Sequence, residues 1–221
     1  MLAVHHLNNS RSQRVLWLLE ELNLPYEIRH YQRDAETMLA PPELKSIHPL
    51  GKSPVITDDL VTVAETGTII EYIVEKTGGR LRPARGTPEQ LRWTYWMHFA
   101  EGSVQPALVM KLIFGFIPER APFYLKPLLQ LVLSRAQDSL VTPRLKLYFD
   151  LMESELAKSE WFAGSEFSAA DVMMSFPIET GVSRANALEG RPHLKSFLQR
   201  IHARPAYRAA LQKGGPYAFA Q

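Results

Sequence analysis

The chain has 221 residues with 25 basic and 23 acidic side chains, and it contains no cysteine. A hydrophobic fraction of 46% is typical of a soluble globular protein, and this length suits one large or two small domains. A net charge of +2 does not indicate a nucleic-acid partner. The absence of cysteine excludes disulfides, cysteine-based zinc sites and every mechanism that uses a protein thiol. No apolar run reaches the roughly 20 residues that span a bilayer and no leader pattern is found, so we expect a cytoplasmic protein without membrane contact.

The first 80 residues alternate between strand and helix patterns. Leu2–Leu7 indicates a buried strand, and residues 11–22 carry a helical apolar stripe that ends at Asn23 and Pro25. Residues 26–31 alternate as a second strand, so the first unit is a β-α-β crossover with parallel strands. A short helix, a hairpin and a further helix follow at residues 42–47, 55–63 and 65–76. This order predicts a thioredoxin-like α/β domain with a four-stranded mixed sheet.

The rest of the chain has helical patterns almost throughout. The stretch RLRPARGTP is rich in proline, glycine and arginine, as is typical of a domain linker. It is followed by two long helical segments and three shorter ones, at residues 88–117, 123–157, 169–184, 192–203 and 205–213. We therefore predict a thioredoxin-like domain at residues 1–80, a linker at 81–88 and an all-α domain at 89–221.

The polar turn Asn8-Asn9-Ser10 lies between the first strand and the first helix. Asparagine and serine are preferred helix caps, so the turn has a purely structural interpretation. A functional interpretation exists beside it, because the start of a helix offers unpaired N–H groups and the positive end of the dipole to an anion or a thiolate. Since the chain has no cysteine, such a thiolate would come from a ligand.

Two further motifs of the first domain suit a peptide-like ligand. In Lys52-Ser53-Pro54-Val55, the proline before a strand can take a cis peptide bond, and the backbone of Val55 is then a candidate to pair with the ligand. In Glu65-Thr66, the carboxylate fits an ammonium group, and the hydroxyl with nearby N–H groups fits a carboxylate. Each motif alone also fits an ordinary loop or cap. Together they match the two charges of an α-amino acid.

A capping motif lies in the second half of the chain. Ser168 and Asp171 have the spacing of a capping box, and Phe167 could pack against Val172 at the helix start. We interpret this motif as structural, as part of the core of the helical domain.

Taken together, these motifs resemble those of the cytosolic glutathione transferase family. The resemblance covers essentially the whole chain, and the string SRSQRVLWLLEEL followed by PPELKSIHPLGKSPVI is similar to a bacterial and fungal branch of non-cysteine, serine or asparagine type. It implies a homodimer that uses glutathione as co-substrate, without a metal, to conjugate hydrophobic electrophiles in detoxification. A glutathione-dependent peroxidase or disulfide reductase of the same fold is an alternative. A non-catalytic glutathione-binding protein is another.

The resemblance also implies a thiolate-activating residue. Ser10 is the hydroxyl best placed to hydrogen-bond the glutathione thiolate, whereas the register of the first helix puts Asn9 at the usual activating position. Both therefore stay candidates. Activation by a tyrosine is disfavoured, because no tyrosine precedes Tyr26.

The predicted glutathione-binding residues are Lys52, Ser53, Pro54, Val55, Glu65 and Thr66. By resemblance, Lys52 reaches the glycine carboxylate, the backbone of Val55 pairs with the cysteinyl part, and Glu65 with Thr66 binds the γ-glutamyl end. For the electrophile, an aromatic stripe with Tyr95, His98 and Phe99 is a candidate pocket lining, although such a stripe at helical spacing also fits a core.

Overall fold

The computed structural model describes residues 1–34, 36–37 and 39–220. Strands β1 (Leu2–Leu7) and β2 (Glu27–Tyr31) are parallel, and helix α1 (Ser12–Leu22) connects them. Asn23 takes the left-handed conformation with a φ of 52°, which asparagine tolerates, and this ends α1 where the sequence predicts. The predicted β-α-β unit is thus present.

The second half of the sheet is an antiparallel hairpin. Strands β3 (Val55–Asp58) and β4 (Val61–Ala64) follow the short helix α2 (Leu44–Ile47), and helix α3 (Thr66–Lys76) comes next. β3 also pairs with β1 in the antiparallel sense, and the strand order is β2-β1-β3-β4. The predicted four-stranded mixed sheet is confirmed.

Everything after residue 88 that folds regularly is helical. The helices are α4 (Pro88–Phe99), α5 (Gln105–Arg120), α6 (Lys126–Ala136), α7 (Thr142–Leu156), α8 (Ala169–Ala185), α9 (Pro192–Ala203) and α10 (Pro205–Gly214). Short π-helical turns at Ala100–Val104 and Gln137–Val141 join α4 to α5 and α6 to α7. Each of the two long helical segments predicted from the sequence is therefore a continuous helical stretch. The helical second half of the chain is confirmed.

Helix α1 is enclosed by the helical part of the chain. It packs against α3, α8 and α10. At the end of α10, a Cβ on Gly214 would lie 2.5 Å from the Gln13 side chain, so the close approach of α10 to α1 requires glycine. The buried Arg14 of α1 donates to the backbone carbonyl of Met173 at 2.7 Å and pairs with Glu101. These contacts hold the N-terminus of α1 in a rigid setting.

The capping motif at the start of α8 is structural, as predicted. The buried Asp171 carboxylate accepts from the N–H groups of Ser168 at 2.8 Å and Phe162 at 2.9 Å. Phe167 packs its ring against Trp17 at 5.6 Å and Trp161 at 5.1 Å. The motif therefore ties α8 to α1 and to the loop before α8.

One helical stretch, Pro88–Arg120, meets the length and composition criteria of a membrane-crossing helix. It has 33 residues, and the 18-residue window that passes has a mean hydropathy of 1.2 and is 28% buried. The sequence expectation concerned uninterrupted apolar runs, and this stretch contains none of about 20 residues, because its apolar residues are interspersed with polar ones. Core helices of soluble proteins pass the same criteria, so the stretch assigns no membrane by itself.

Candidate active site

Two adjoining cavities lie where β1 ends and α1 begins. The larger has a volume of about 540 Å³ and includes Asn9 and Ser10 in its lining. The smaller has a volume of about 110 Å³ and includes Glu65 and Thr66. The residues that line both are Arg11, Leu50, Lys52 and Ser53. The structure thus brings most of the predicted glutathione-binding residues to one place.

Ser10 lies at the N-terminus of α1 with its side chain 4% exposed. Its Oγ accepts from the N–H of Ser12 at 3.2 Å and lies 2.7 Å from the Oγ of Ser12. The backbone N–H groups of Ser10 and Arg11 have no hydrogen-bond acceptor among the described residues. A hydroxyl and unpaired N–H groups therefore converge at the positive end of the α1 dipole.

Behind Ser10, a buried relay runs through Ser12 to His6. The Oγ of Ser12 lies 2.8 Å from Nδ1 of His6 and can also donate to the carbonyl of Leu7 at 3.4 Å. Burial, and then the neighbouring His30, lower the pKa of His6 to about 4, so the ring is neutral at pH 7. Which of Ser12 and His6 donates in their hydrogen bond depends on the tautomer of the ring.

Ser10 and Ser12 share a hydrogen bond in which either hydroxyl can donate. When Ser12 donates to His6 or to the Leu7 carbonyl, the Ser10 proton is available for the Ser12 oxygen or for a ligand in the cavity. Ser12 and His6 are residues that the sequence interpretation missed. The signal was weak, since a histidine in a buried strand more often belongs to the core.

Asn9 is bound to the far end of the chain. Its φ of 49° is left-handed, and its Oδ1 accepts from the backbone N–H of Ala218 at 2.8 Å. The amide oxygen is therefore occupied, and the Nδ2 group is the end that can donate to a ligand. Asn9 and Ser10 both line the larger cavity, so both stay candidates for thiolate binding.

Hydrogen bonds of Ser53 hold the loop before β3 to the end of β1. The Oγ of Ser53 donates to the carbonyl of His5 at 2.9 Å and accepts from the N–H of Leu7 at 3.3 Å. The Ser53–Pro54 peptide bond is cis. Val55 is buried between neighbours on both sides, His5 of β1 and Ala64 of β4, and it lines neither cavity. Ser53, two residues earlier in the chain, lines both cavities.

Glu65 and Thr66 stand at the junction of β4 and α3. Glu65 is exposed with a φ of 68°, a conformation that a non-glycine residue rarely takes, and Thr66 is 3% exposed at the first turn of α3. Arg11 faces them across the smaller cavity and pairs with Glu101 at 3.0 Å. Burial would raise the pKa of Glu101, but the charges of Arg14 and Arg11 hold it below its ordinary value. Arg11 is a further site residue that sequence reasoning missed.

The predicted aromatic lining lies elsewhere. Phe99 stacks on Tyr95 at 5.4 Å and meets Tyr148 at 5.3 Å, within an aromatic cluster of the helical part. Tyr95, His98 and Phe99 do not line the larger cavity. Its wall on the helical side consists instead of Gln105, Val109, Phe176, Arg184 and Phe219. Of the three, Phe99 is buried, whereas Tyr95 and His98 are exposed, and the apolar wall of the larger cavity comes from α5, α8 and the C-terminal segment.

Among the described residues, no group of three or more histidine, aspartate or glutamate side chains could hold a metal ion. The donors around the cavities are hydroxyls, amides and cations. This set suits an anionic organic ligand.

Comparisons with known proteins agree with this geometry. The glutathione S-transferase N-terminal and C-terminal domain models match residues 2–75 and 121–205. Glutathione S-transferase 3 of Schizosaccharomyces pombe is 35% identical over 217 residues, which cover 96% of this chain and 88% of that protein. Glutathione S-transferase 1 of Saccharomyces cerevisiae is 33% identical over 223 residues, covering 96% and 95%.

A solved structure gives the same result. The crystal structure of a glutathione S-transferase from Actinobacillus pleuropneumoniae superposes with a TM-score of 0.81 at 29% identity, covering 100% of this chain and 96% of that one. With both domain models matched and two transferases at least 33% identical over nearly the whole length, the chain belongs to the glutathione S-transferase family.

Proposed function

We propose that Ser10 stabilises the thiolate of bound glutathione, which then attacks a hydrophobic electrophile lodged against α5 and α8. The observation that carries this proposal is the Ser10–Ser12–His6 relay. With the Ser12 hydroxyl donating to His6 or to the Leu7 carbonyl, the Ser10 proton is free to turn toward a sulfur in the larger cavity. The unpaired N–H groups of Ser10 and Arg11 add positive potential at the same point.

The energy required is within reach of these groups. A free thiol has a pKa near 8.5, so only a few per cent is ionised at neutral pH. Lowering that pKa by about 2 units requires roughly 2.7 kcal/mol of preferential thiolate stabilisation. A hydrogen bond to a charged group contributes about 1.5–3 kcal/mol, and the end of a helix dipole adds about 0.3–1 kcal/mol.

The rest of glutathione fits the two cavities by charge. Lys52 lines both cavities and is placed to meet the glycine carboxylate, while the backbone of Ser53 replaces Val55 as the partner of the cysteinyl peptide groups. Glu65 can take the γ-glutamyl ammonium group. Thr66, at the N-terminus of α3, can take the α-carboxylate through its hydroxyl and backbone N–H.

The chemical step needs only what the site and the substrates supply. The thiolate forms a carbon–sulfur bond to the electrophile, and the leaving group departs with its electron pair. Val109, Phe176 and Phe219 provide an apolar wall for the electrophile beside the sulfur. We infer a detoxifying role in the cytoplasm from this chemistry and from the resemblance of the sequence.

We also infer a homodimer. Helices α5 and α6 expose a run of large apolar side chains, Leu112, Ile113, Phe116, Ile117, Leu128, Leu131 and Val132. A surface of this kind commonly marks a protein–protein interface, and a second copy of the chain is the occupant we expect. Light scattering should give twice the mass of the 25.1 kDa chain. A monomer mass at micromolar concentration would contradict the dimer.

The experiment that tests the proposed function is retention on immobilised glutathione, followed by assays with an aryl halide, an organic hydroperoxide and a mixed disulfide. We expect retention, and we expect the aryl halide to be the best substrate. A peroxide or disulfide turned over much faster than the aryl halide would favour the reductase alternative. If the protein is not retained on glutathione and turns over none of the three substrates, the result would favour a protein that has lost catalysis.

A further inference from the structure

The charged side chains described in the lining of the larger cavity are all cationic. Among the residues that the structure describes, no acidic side chain lines it, whereas five cationic ones do: Arg11, Arg33, Lys45, Lys52 and Arg184. A concave site lined by cations alone has a positive potential that attracts anions. Glutathione accounts for part of this charge, since it brings two carboxylates, one ammonium group and, when activated, a thiolate.

Arg184 differs from the other four cations in position. The others belong to the first domain, on the β1–α1 turn and on the segment around α2 and before β3, where the proposed glutathione site lies. Arg184 is on α8, in the wall that the helical part contributes together with Val109 and Phe176. It is therefore placed on the electrophile's side of the cavity.

Arg184 also has no carboxylate partner among the described residues. It is half-buried, and burial alone lowers the pKa of its guanidinium, without an offsetting acidic neighbour. The guanidinium group instead lies over the ring of Phe219, with its carbon 5.4 Å from the ring centre. A partly desolvated cation without a counter-charge is costly to the empty protein, and an anionic ligand would relieve that cost.

The surroundings of Arg184 describe the rest of the ligand. Phe219 and Phe176 meet edge to face at 5.6 Å, and both line the cavity, so they offer aromatic surface next to the cation. Gln105 is 3% exposed, and its Oε1 has no hydrogen-bond partner among the described residues. Its amide can rotate to donate to a carboxylate.

We propose that Arg184 selects electrophiles that carry an anionic group, a carboxylate or a sulfonate, on an aromatic or flat apolar body. This inference rests on the proposed transferase function and names the substrate class of the same site. In the reaction, the thiolate carries out the substitution at one end of the substrate while Arg184 holds the anionic group at the other. Arg184 is thus a specificity residue with no part in thiolate formation.

The test compares two matched aryl chlorides, 4-chloro-3,5-dinitrobenzoate and its neutral amide, 4-chloro-3,5-dinitrobenzamide. In both, a carbon–sulfur bond forms and chloride leaves, so kcat/KM at saturating glutathione is divided by the uncatalysed rate for each compound. We expect the benzoate to be favoured by about tenfold over the amide, the size of one charge-assisted hydrogen bond. In Arg184→Gln this preference should disappear, mainly through a higher KM for the benzoate, whereas Arg184→Lys should keep most of it.

Lys111→Gln is the matched control. Lys111 is also half-buried in the helical part, but it lines neighbouring cavities and not this one, so its removal should leave the preference intact. Amide turnover with no benzoate preference, or a preference that survives Arg184→Gln, would overturn the inference and leave the transferase proposal standing. If the enzyme turns over neither compound, the proposed function is overturned, and this inference with it.

Discussion

The side-chain oxygen of Asn9 and the backbone N–H of Ala218 are 2.8 Å apart, joining two residues separated by 209 positions in the chain. The hydrogen bond fastens the C-terminal segment over the larger cavity, where Phe219 forms part of the wall. Tyr217 anchors the same segment by donating to the buried Glu179 at 2.7 Å. This contact favours a role for Asn9 in holding the segment, in keeping with our proposal that Ser10 binds the thiolate.

A double-mutant cycle tests this division of roles. In the full-length chain, Asn9→Ala should lower kcat/KM about threefold to tenfold, because one hydrogen bond of about 0.5–1.5 kcal/mol holds the segment. In a chain shortened by residues 216–221, the same substitution should have little further effect. An equally large loss in both backgrounds would show that Asn9 acts on glutathione directly.

Ser12 should be important for stability as well as for activity. Ser12→Ala leaves Nδ1 of the buried His6 without its hydrogen-bond partner, and an unsatisfied buried group costs about 1–3 kcal/mol. Urea denaturation of the variant should show a loss of that size. The matched control is Ser154→Ala, which removes an exposed hydroxyl that donates to the Leu151 carbonyl, and should change stability by less than about 0.5 kcal/mol. Equal losses in the two variants would contradict the relay.

The pKa of His6 predicts a pH dependence of stability. Its folded value of about 4 lies below the unfolded value of 6.5, so the unfolded chain binds more protons between these pH values. Stability from this group is therefore present above pH 6.5 and is lost as pH falls toward 4, by roughly 3 kcal/mol.

Two variants isolate this effect. His6→Asn cannot titrate, so the difference in unfolding free energy between wild type and this variant should shrink on going from pH 7 to pH 4. His98→Asn, at an exposed position of α4, should show no such trend. A pH-independent difference for His6→Asn would mean that the imidazole is not held neutral by burial.

Glu65 should act on glutathione binding and much less on the chemical step. Glu65→Gln removes the proposed partner of the γ-glutamyl ammonium group, and a hydrogen-bonded charge is worth about 1.5–3 kcal/mol. The KM for glutathione should rise at least about tenfold, with a smaller change in kcat. Glu71→Gln, an exposed acid on the same helix, is the control and should leave KM unchanged. A fall in kcat at constant KM would contradict the assignment.

Local patterns were sufficient for most of the fold. The apolar stripe of α1, its stop at Asn23 and the turn residues around β3 and β4 are short-range signals, so the strands and the mixed sheet followed from them. The order of the strands was not predicted, because the pairing of β1 with β3 is a long-range contact. The π-helical turn at Ala100–Val104 was not predicted, because one extra residue in a turn barely changes the helical period.

The site was less predictable, for a physical reason. Ser10 and Glu65 follow from turn and cap chemistry, and Lys52 follows from the family resemblance. Arg184 and Phe219 reach the cavity, and Ser12 reaches His6, only through tertiary packing. Their spacing in sequence carries no information about that packing.

For the aromatic stripe with Tyr95 and Phe99, the sequence pattern predicted a lining that the larger cavity does not have. Helical spacing identified a face of α4, and only the packing of α4 against its neighbours shows that this face lies away from the larger cavity, with Phe99 buried and Tyr95 exposed.

The thiol pKa of bound glutathione is the most direct test of the central claim, that Ser10 stabilises the thiolate. Titration of the thiolate absorbance in the enzyme–glutathione complex should give a pKa about 2 units below 8.5 for the wild type. In Ser10→Ala the value should rise by about 1–2 units, with glutathione affinity nearly unchanged. A wild-type pKa near 8.5, or a depressed pKa that persists in Ser10→Ala and is lost in Asn9→Ala, would contradict the account.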